Sequence, residues 1–463
     1  MTTTVEKQVK DIRSKFPRVK AERVSDLPRV FVGPLALFLV WSPLALLLIC
    51  AIVANSLTAY FAHAKPEIAI QLRSTSSTAL LNLAESELTR LRAKDDSSPA
   101  PKLAPETLGY VRSSAELALR NDPLNARAFR ILGQLAVQEN DKKETRSLME
   151  TAAKRSLGQS AALYWMMQTN YEDSNYGEAI RYADALLRTR PKAAQYVMPI
   201  LGKIAEIPDA SAKLKQILAS NPPWRKGFFN RIASNVSDAR TPLEMLLSLK
   251  PTPNPPTSAE LDPYLDFLIR RKFYDLAYYT WLQFLSPKQL SKVGLLFNGD
   301  FEAAPSGLPF DWVLKQSPGV SINVVEHPDQ EGGHALSLKF GVSRVDLLRV
   351  MQLVTLAPGH YLFQGKQNID LVSQSGLQWR IICTGKNTTP LAESPAVQGS
   401  SGAWQDFSFS FTVPDGDCPA QSVELVFNAR WASERFISGS ALYDDLEIVR
   451  PVETSKDDSM SKN

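Results

Sequence analysis

Histidine and cysteine are scarce, 4 and 3 in 463 residues, a count that argues against a zinc cluster or a His-rich metal centre. Glycine (22) is outnumbered by proline (31), which favours stiff turns over flexible glycine loops. The chain has no Gly-rich phosphate loop, no nucleophile elbow and no Cys–His pairing. Carboxylate pairs such as Asp95/Asp96 and Asp444/Asp445 are adjacent in sequence. Strand neighbours point to opposite faces, so such a pair does not flank one glycosidic bond as a hydrolase acid and base must. The expectation is a protein that is not an enzyme. Hydrophobic (44%) and charged (22%) fractions are those of globular chains, and the length calls for two or three units.

Positive charge is also missing from most of the chain. Residues 1–29 hold eight Lys/Arg and four acids, which accounts for the whole net charge of +4. No basic field remains for nucleic acid. The basic segment instead precedes residues 30–62, a run of 33 residues without Asp, Glu, Lys, Arg or His. About 20 apolar helical residues span a bilayer core, so this run is expected to be a single-pass transmembrane signal anchor. The excess of Lys/Arg before it places the amino terminus in the cytoplasm. The remaining residues would then lie outside the inner membrane, in the periplasm of a bacterium. A cleaved signal peptide ending at Ala62-His63-Ala64 is the alternative, although the leading segment and apolar run are both long for one.

Residues 63–104 read as a membrane-proximal helix followed by a Pro- and Ser-rich linker. Beyond it, Pro123 and Pro191 stand 68 residues apart, and Pro222 or Pro223 follows 31 or 32 later. The unit from Ala126 carries Phe129, Leu132, Gly133 and Ala152. The unit from Ser160 carries Leu163, Met166, Ala179, Ala183, Leu186 and Pro191. In this register the segment resembles the tetratricopeptide repeat, two antiparallel helices per 34 residues. Leu157 replaces a closing proline and Met167 a small contact residue. The resemblance implies an all-α region over 105–290 that docks protein partners on a concave surface; a mere spacer is the alternative. The aromatic residues of 261–285 (among them Tyr264, Phe273, Tyr279 and Trp281) read as a last helix pair whose rings are core or capping faces.

From Gly294 the texture changes to short alternating runs, at 320–325, 335–340, 347–355, 360–368, 377–383, 405–413, 422–431 and 441–449. In 405–413 Phe407, Phe409, Phe411 and Val413 alternate with Ser408 and Ser410, a period of two. Eight such strands fit an all-β sandwich over 294–450, with a polar tail at 451–463. Cys383 and Cys418 are the two cysteines outside the apolar run, and in an oxidising compartment they are expected to pair; two buried thiols are the alternative. Alternation also gives polar strand faces with Gln364, Lys366 and Asn368, with Gln378 and Arg380, and with Asn428 and Arg430. Trp312, Trp379 and Trp431 are candidate stacking platforms, although Trp379 and Trp431 share a face with Ile381, Leu425 and Phe427 and are expected in the core.

The ends of this region carry a second resemblance. Asn298-Gly-Asp-Phe301-Glu302, Phe310-Asp-Trp312, Leu356-Ala-Pro-Gly359-His-Tyr361, Trp404-Gln-Asp-Phe407 and Tyr443-Asp444-Asp445-Leu446 together resemble the galactose-binding-like jelly roll of carbohydrate-binding modules. The resemblance implies glycan binding, for which Gln364, Lys366, Gln378, Arg380, Asn428, Arg430 and Trp312 are the candidates. It also implies a structural Ca²⁺ on Glu302 and Asp445, with Asp444 as substitute, the oxygen donors a hard cation takes. The functional expectation is a membrane-anchored scaffold that supports exopolysaccharide or envelope glycan assembly. A purely structural scaffold without glycan affinity and a glycan-processing enzyme with an unrecognised site are the alternatives.

Overall fold

A computed structural model describes residues 34–92, 105–345, 348–384, 390–427, 429 and 431–451. The basic segment 1–29, the Pro/Ser-rich linker and the polar tail beyond 451 lie outside the described residues. The chain forms two compact units, Met1–Thr145 and Arg146–Asn463.

In the first unit, helix α1 (Pro34–Ala64) is the one described helix long and apolar enough to cross a membrane. Its window Ser42–Ala64 has a mean hydropathy of 2.1. Leu46, Leu47 and Leu48 are more than 60% exposed, so none of the described residues covers this stretch. Further along, one face of the helix meets protein, with Thr58 and Ala62 buried while Leu57 and Tyr60 stay exposed. Helices α2 (Pro66–Leu72) and α3 (Ser77–Arg92) pack on its last turns, where buried Ala62, Ala69 and Ala79 form a small cluster. Alanines let helices approach closely, and Asn82 donates to the Ala62 carbonyl. Helices α4 (Pro105–Asn121) and α5 (Ala126–Gln138) complete this unit. Glu85 of α3 pairs with both Arg127 and Arg130 of α5.

Helix α6 (Lys142–Arg155) leads into α7 (Ser160–Glu172), α8 (Tyr176–Thr189), α9 (Ala194–Ala205), α10 (Pro208–Ala219), α11 (Arg225–Asn235), α12 (Thr241–Leu249), α13 (Ser258–Arg270) and α14 (Tyr274–Gln283), with the short α15 (Pro287–Leu290) last. Ala126, Ser160 and Ala194 open alternate helices at intervals of thirty-four residues. The turns repeat as well. Asn140, Ser174 and Lys272 each adopt a left-handed φ of 59–64° just past a helix. Asp141, Asn175 and Phe273, which follow them, donate backbone bonds five residues back, to Ala136, Asn170 and Leu268, closing carbonyls a helix end leaves open. At these three turns successive helices are therefore joined as helix–turn–helix pairs.

Arg225 locks the later pairs together. Its guanidinium is 2% exposed and grips Glu260 at 2.7 and 2.9 Å, and also donates to the carbonyls of Leu218, Asn254 and Pro255. The Pro-rich segment at 251–256 is thus pinned to a buried cation. Glu260 also accepts from Thr257 at the start of α13, as a capping box requires. Burial pushes the Glu260 carboxyl up, but the bonds from Arg225 and Thr257 more than reverse this and hold it below the usual carboxylate range.

The β region is a sandwich of two antiparallel sheets. One has the order β1 (Val313–Lys315), β4 (Arg349–Val354), β10 (Gln421–Phe427), β6 (Leu377–Cys383), β7 (Pro390–Glu393). The other runs β2 (Val320–Glu326), β3 (His334–Arg344), β11 (Phe436–Val449), β5 (Gly359–Ser373), and β5 then pairs along its free edge with β8 (Gly399–Ser400) and β9 (Gln405–Val413). Inward-facing Trp312, Tyr361, Phe363, Trp379 and Tyr443, each at most 1% exposed, fill the space between the sheets. The short β1, β7 and β8 carry too few residues to show a period and lie outside the eight alternating runs. Cys383 and Cys418 form a disulfide with Cα atoms 5.2 Å apart. The sandwich rests on α14: Trp281 packs on Phe297 (5.0 Å between centroids), Tyr278 on Phe310 (5.3 Å), and the Tyr274 hydroxyl donates to the Thr384 carbonyl at 2.9 Å.

Breaking a buried ion pair from one side strands the other charge. Glu260→Gln is therefore expected to cost the full chain about 3 kcal/mol in denaturant unfolding. A loss below about 1 kcal/mol would show that Arg225 is satisfied by its carbonyls alone.

Candidate functional site

An open cavity of about 380 Å³ lies on the outer face of the six-stranded sheet, lined by Gln364, Gly365, Lys366, Asp406, Phe407, Ser408, Asp445 and Glu447. Strand register explains how these residues meet. Gln364 lies opposite Ser408 of β9 and Glu447 of β11, while Lys366 lies opposite Asp406 and Asp444. Successive residues of β9 alternate, so Asp406 and Ser408 are exposed while Phe411 and Val413 are buried.

A β-bulge interrupts the β5–β11 pairing between Asp444 and Glu447. Asp445 takes a left-handed φ of 50° there, and its carboxylate turns outward to Lys366 at 2.8 Å. This bond raises the Lys366 ammonium above the usual lysine range. Gln364 in turn donates to Glu447 at 3.3 Å. The cavity therefore presents three carboxylates, one ammonium, an amide and a hydroxyl, without an exposed aromatic ring among its lining residues.

Of the residues proposed from sequence to bind sugar, Gln364 and Lys366 line this cavity. Gln378 and Arg380 belong to β6 in the opposite sheet. Gln378 is buried and donates to Ser394 and Glu393, and Arg380 is paired with Glu393. Trp312 is wholly buried, packed on Phe301 and Trp379, with its indole N–H on the Asn298 carbonyl. A ring enclosed on all sides offers no face to a sugar, so Trp312 is corrected to a core residue. Trp379 is core as expected, whereas Trp431 is 70% exposed: β10 ends at Phe427, and alternation no longer binds residues beyond it. Asn428 and Arg430 lie outside the described residues.

The three acids expected to hold Ca²⁺ divide. Asp445 is engaged by Lys366 at the surface. Asp444 is buried, its carboxylate accepting the Asp445 N–H and lying 3.7 Å from His327. Burial first, then the neighbouring charges of Asp445 and Glu302, push the Asp444 carboxyl up to about 6. Glu302 accepts from the His334 backbone N–H at 3.0 Å and contacts its ring at 3.2 Å. Among the described residues no group of three or more His, Cys, Asp or Glu side chains converges to hold a metal. Asp444 and Glu302 are nevertheless two carboxylates whose mutual repulsion a cation would relieve, and that donor chemistry suits a hard ion.

No family model and no curated protein matches the chain. Among solved structures, the sandwich is similar to a CBM4 carbohydrate-binding module (16% identity, TM-score 0.25, 33% of this chain and 97% of that one). It is also similar to a CBM22 xylan-binding domain from Paenibacillus barcinonensis (14%, 0.21, 30% and 83%) and to a family 16 carbohydrate-binding module (17%, 0.24, 34% and 100%). At these TM-scores the likenesses carry no weight for function, which rests on the cavity itself.

The raised Asp444 pKa has a definite sign. Its folded value exceeds the unfolded one, so its contribution to stability is present below pH 4 and is lost as pH rises through about 6. In EDTA, Asp444→Asn is expected to stabilise the protein at pH 7.5 by about 2 kcal/mol and to change nothing at pH 3.5. Added Ca²⁺ is expected to raise the melting temperature of the wild type and leave that of the Asn variant unchanged. Equal Ca²⁺ responses in the two proteins would remove Asp444 from any cation site.

Proposed function

We propose that the chain is a membrane-anchored glycan-binding scaffold in which α1 is a single-pass anchor, the helix pairs dock a protein partner as tetratricopeptide repeats do, and the β-sandwich holds a glycan. The single observation that carries the glycan reading is the open row of Gln364, Lys366, Asp406, Ser408, Asp445 and Glu447 across three adjacent strands. Carboxylates and amides spaced along parallel rungs accept and donate to the hydroxyl pairs of a sugar ring. The acidic excess of this row disfavours uronic or sulfated chains and favours neutral hexose polymers. Without an aromatic platform the expected affinity is weak, with Kd on the order of 1 mM.

On this reading a Ca²⁺ ion on Glu302 and Asp444 holds the bulge in place, and the chain binds its glycan without cleaving it. The disulfide Cys383–Cys418 supports placement of the sandwich in an oxidising compartment, hence a cytoplasmic amino terminus and a periplasmic bulk on the outer side of the inner membrane. Support of exopolysaccharide or envelope glycan assembly is the role that joins an anchor, a docking surface and a glycan site.

Calorimetric titration of the full chain in detergent is expected to show binding of neutral hexose oligosaccharides and none of uronic oligosaccharides of the same length. Lys366→Ala and Glu447→Gln are each expected to weaken binding about tenfold. Absence of any glycan binding at millimolar concentration would leave the purely structural scaffold as the better reading.

A further inference from the structure

A second cavity, of about 570 Å³, lies wholly in the first unit where α1 stops being bare and becomes covered. Its walls include Asn55 and His63 of α1, Arg73 before α3, Ser77 and Thr78 in the first turn of α3, and Asp122 just past α4. Depth can be read from the helix. Leu44 through Val53 include seven large apolar residues that are at least 49% exposed, whereas beyond them one face, at Thr58 and Ala62, is buried while Leu57 and Tyr60 stay exposed. Arg73 and Asp122 stand beside this covered stretch, and charged groups are costly in hydrocarbon. If α1 anchors the chain, the hydrocarbon therefore ends near Asn55, and the cavity opens at the level of the lipid headgroups.

Its chemistry matches that level. The Arg73 guanidinium donates to Asn55 Oδ1 (3.2 Å) and Thr75 Oγ1 (3.3 Å). Both are neutral acceptors, so its charge is not spent on a carboxylate among the described residues. Arginine binds phosphate oxygens in a fork, and the Thr78 hydroxyl stands at the amino end of a sixteen-residue helix, where backbone N–H groups favour an anion; the Ser77 hydroxyl beside it donates to the Ala118 carbonyl. Asp122 supplies the opposite sign. It accepts one bond from Asn125 at 2.9 Å, and a carboxylate has further lone pairs. A cavity with one cation, one anion and several hydroxyls suits a zwitterion better than a plain anion.

We propose that this cavity is a phospholipid headgroup site, with the phosphate on Arg73 and the α3 amino end and a primary ammonium on Asp122, the chemistry of a phosphoethanolamine head. The proposal rests on the reading of α1 as an anchor and is independent of the glycan cavity. A quaternary ammonium cannot donate a hydrogen bond to Asp122, and a glycerol headgroup carries no positive charge to meet it. The site therefore distinguishes headgroups of similar size.

The test uses the full chain, first in flotation with vesicles and then by native mass spectrometry from nanodiscs holding equal parts of phosphatidylethanolamine, phosphatidylcholine and phosphatidylglycerol. Retention of phosphatidylethanolamine is expected to exceed that of the other two about fivefold, the size of one charge-assisted bond at a half-exposed site. Arg73→Gln is expected to abolish retention of all three. Asp122→Asn is expected to keep retention but lose the preference. Free glycerophosphoethanolamine at millimolar concentration is expected not to displace the lipid, which separates a membrane ligand from a soluble phosphate ester. A chain that does not float with vesicles overturns the anchor reading and this proposal with it. A chain that floats but retains the three lipids equally, or an Arg73→Gln variant that behaves as wild type, overturns the proposal alone.

Discussion

The last strand of the sandwich carries one residue too many for its pairing, and the position of that residue decides what the domain presents to solvent. At the bulge, Leu446 turns inward and its backbone N–H donates to the Gly299 carbonyl at 3.0 Å. Two glycines make room for it. A Cβ at Gly299 would lie 1.8 Å from the Leu446 carbonyl oxygen, and one at Gly365 would lie 2.6 Å from Leu446 Cδ2. The first contact is with backbone, so close approach requires glycine at Gly299, while a side chain at Gly365 would force the Leu446 methyl to shift. The opening loop, β5 and β11 are thereby joined at a single point. Asp444 is pressed into the interior, Asp445 is turned out to Lys366, and Glu447 is delivered beside Gln364.

Rigidity around this point comes from both sides. Inside, Trp379 meets Tyr443 (5.3 Å) and Phe363 (5.4 Å), and such aromatic pairs add to the burial energy of their rings. Beneath, the aromatic seam with α14 seats the sandwich on the helix pairs, and the Arg225–Glu260 lock holds the preceding helices in register. A groove built on paired strands and backed in this way keeps its polar groups in fixed positions, which lowers the ordering cost of binding a weakly held polymer.

Much of this was legible in the residues. The alternation of Phe407, Phe409, Phe411 and Val413 gave β9 its faces, and the 34-residue spacing from Ala126 to Ser160 recurs in the helix starts and in the turns at Asn140 and Ser174. The cysteine pairing held because Cys383 ends β6 and Cys418 lies in the turn just before β10, its neighbour in the same sheet, with Cα atoms 5.2 Å apart. Half of the candidate site escaped. In an unbroken strand Tyr443 and Glu447 share a face, and Tyr443 is buried; only an inserted residue places Glu447 outside. Ser408 was read as alternating with the core phenylalanines, but the convergence of Asp406 and Ser408 with Gln364 and Lys366 is a matter of strand order. Polar residues on β6 looked equivalent to those on β5 because local period does not report which sheet a strand joins. Gln378 and Arg380 therefore went to the wrong face, and Trp312 was taken for a platform although its ring closes the core.

The central claim is that the outward row on β9, β5 and β11 is where a glycan sits. Hydrogen–deuterium exchange of the full chain, with and without a saturating neutral hexose oligosaccharide, tests it most directly. The account predicts slowed exchange confined to peptides covering residues 364–366, 405–408 and 444–447, with β6 and the loop at Trp431 unchanged. Protection that instead centres on Trp431 or on β6, or none at saturation, would contradict it.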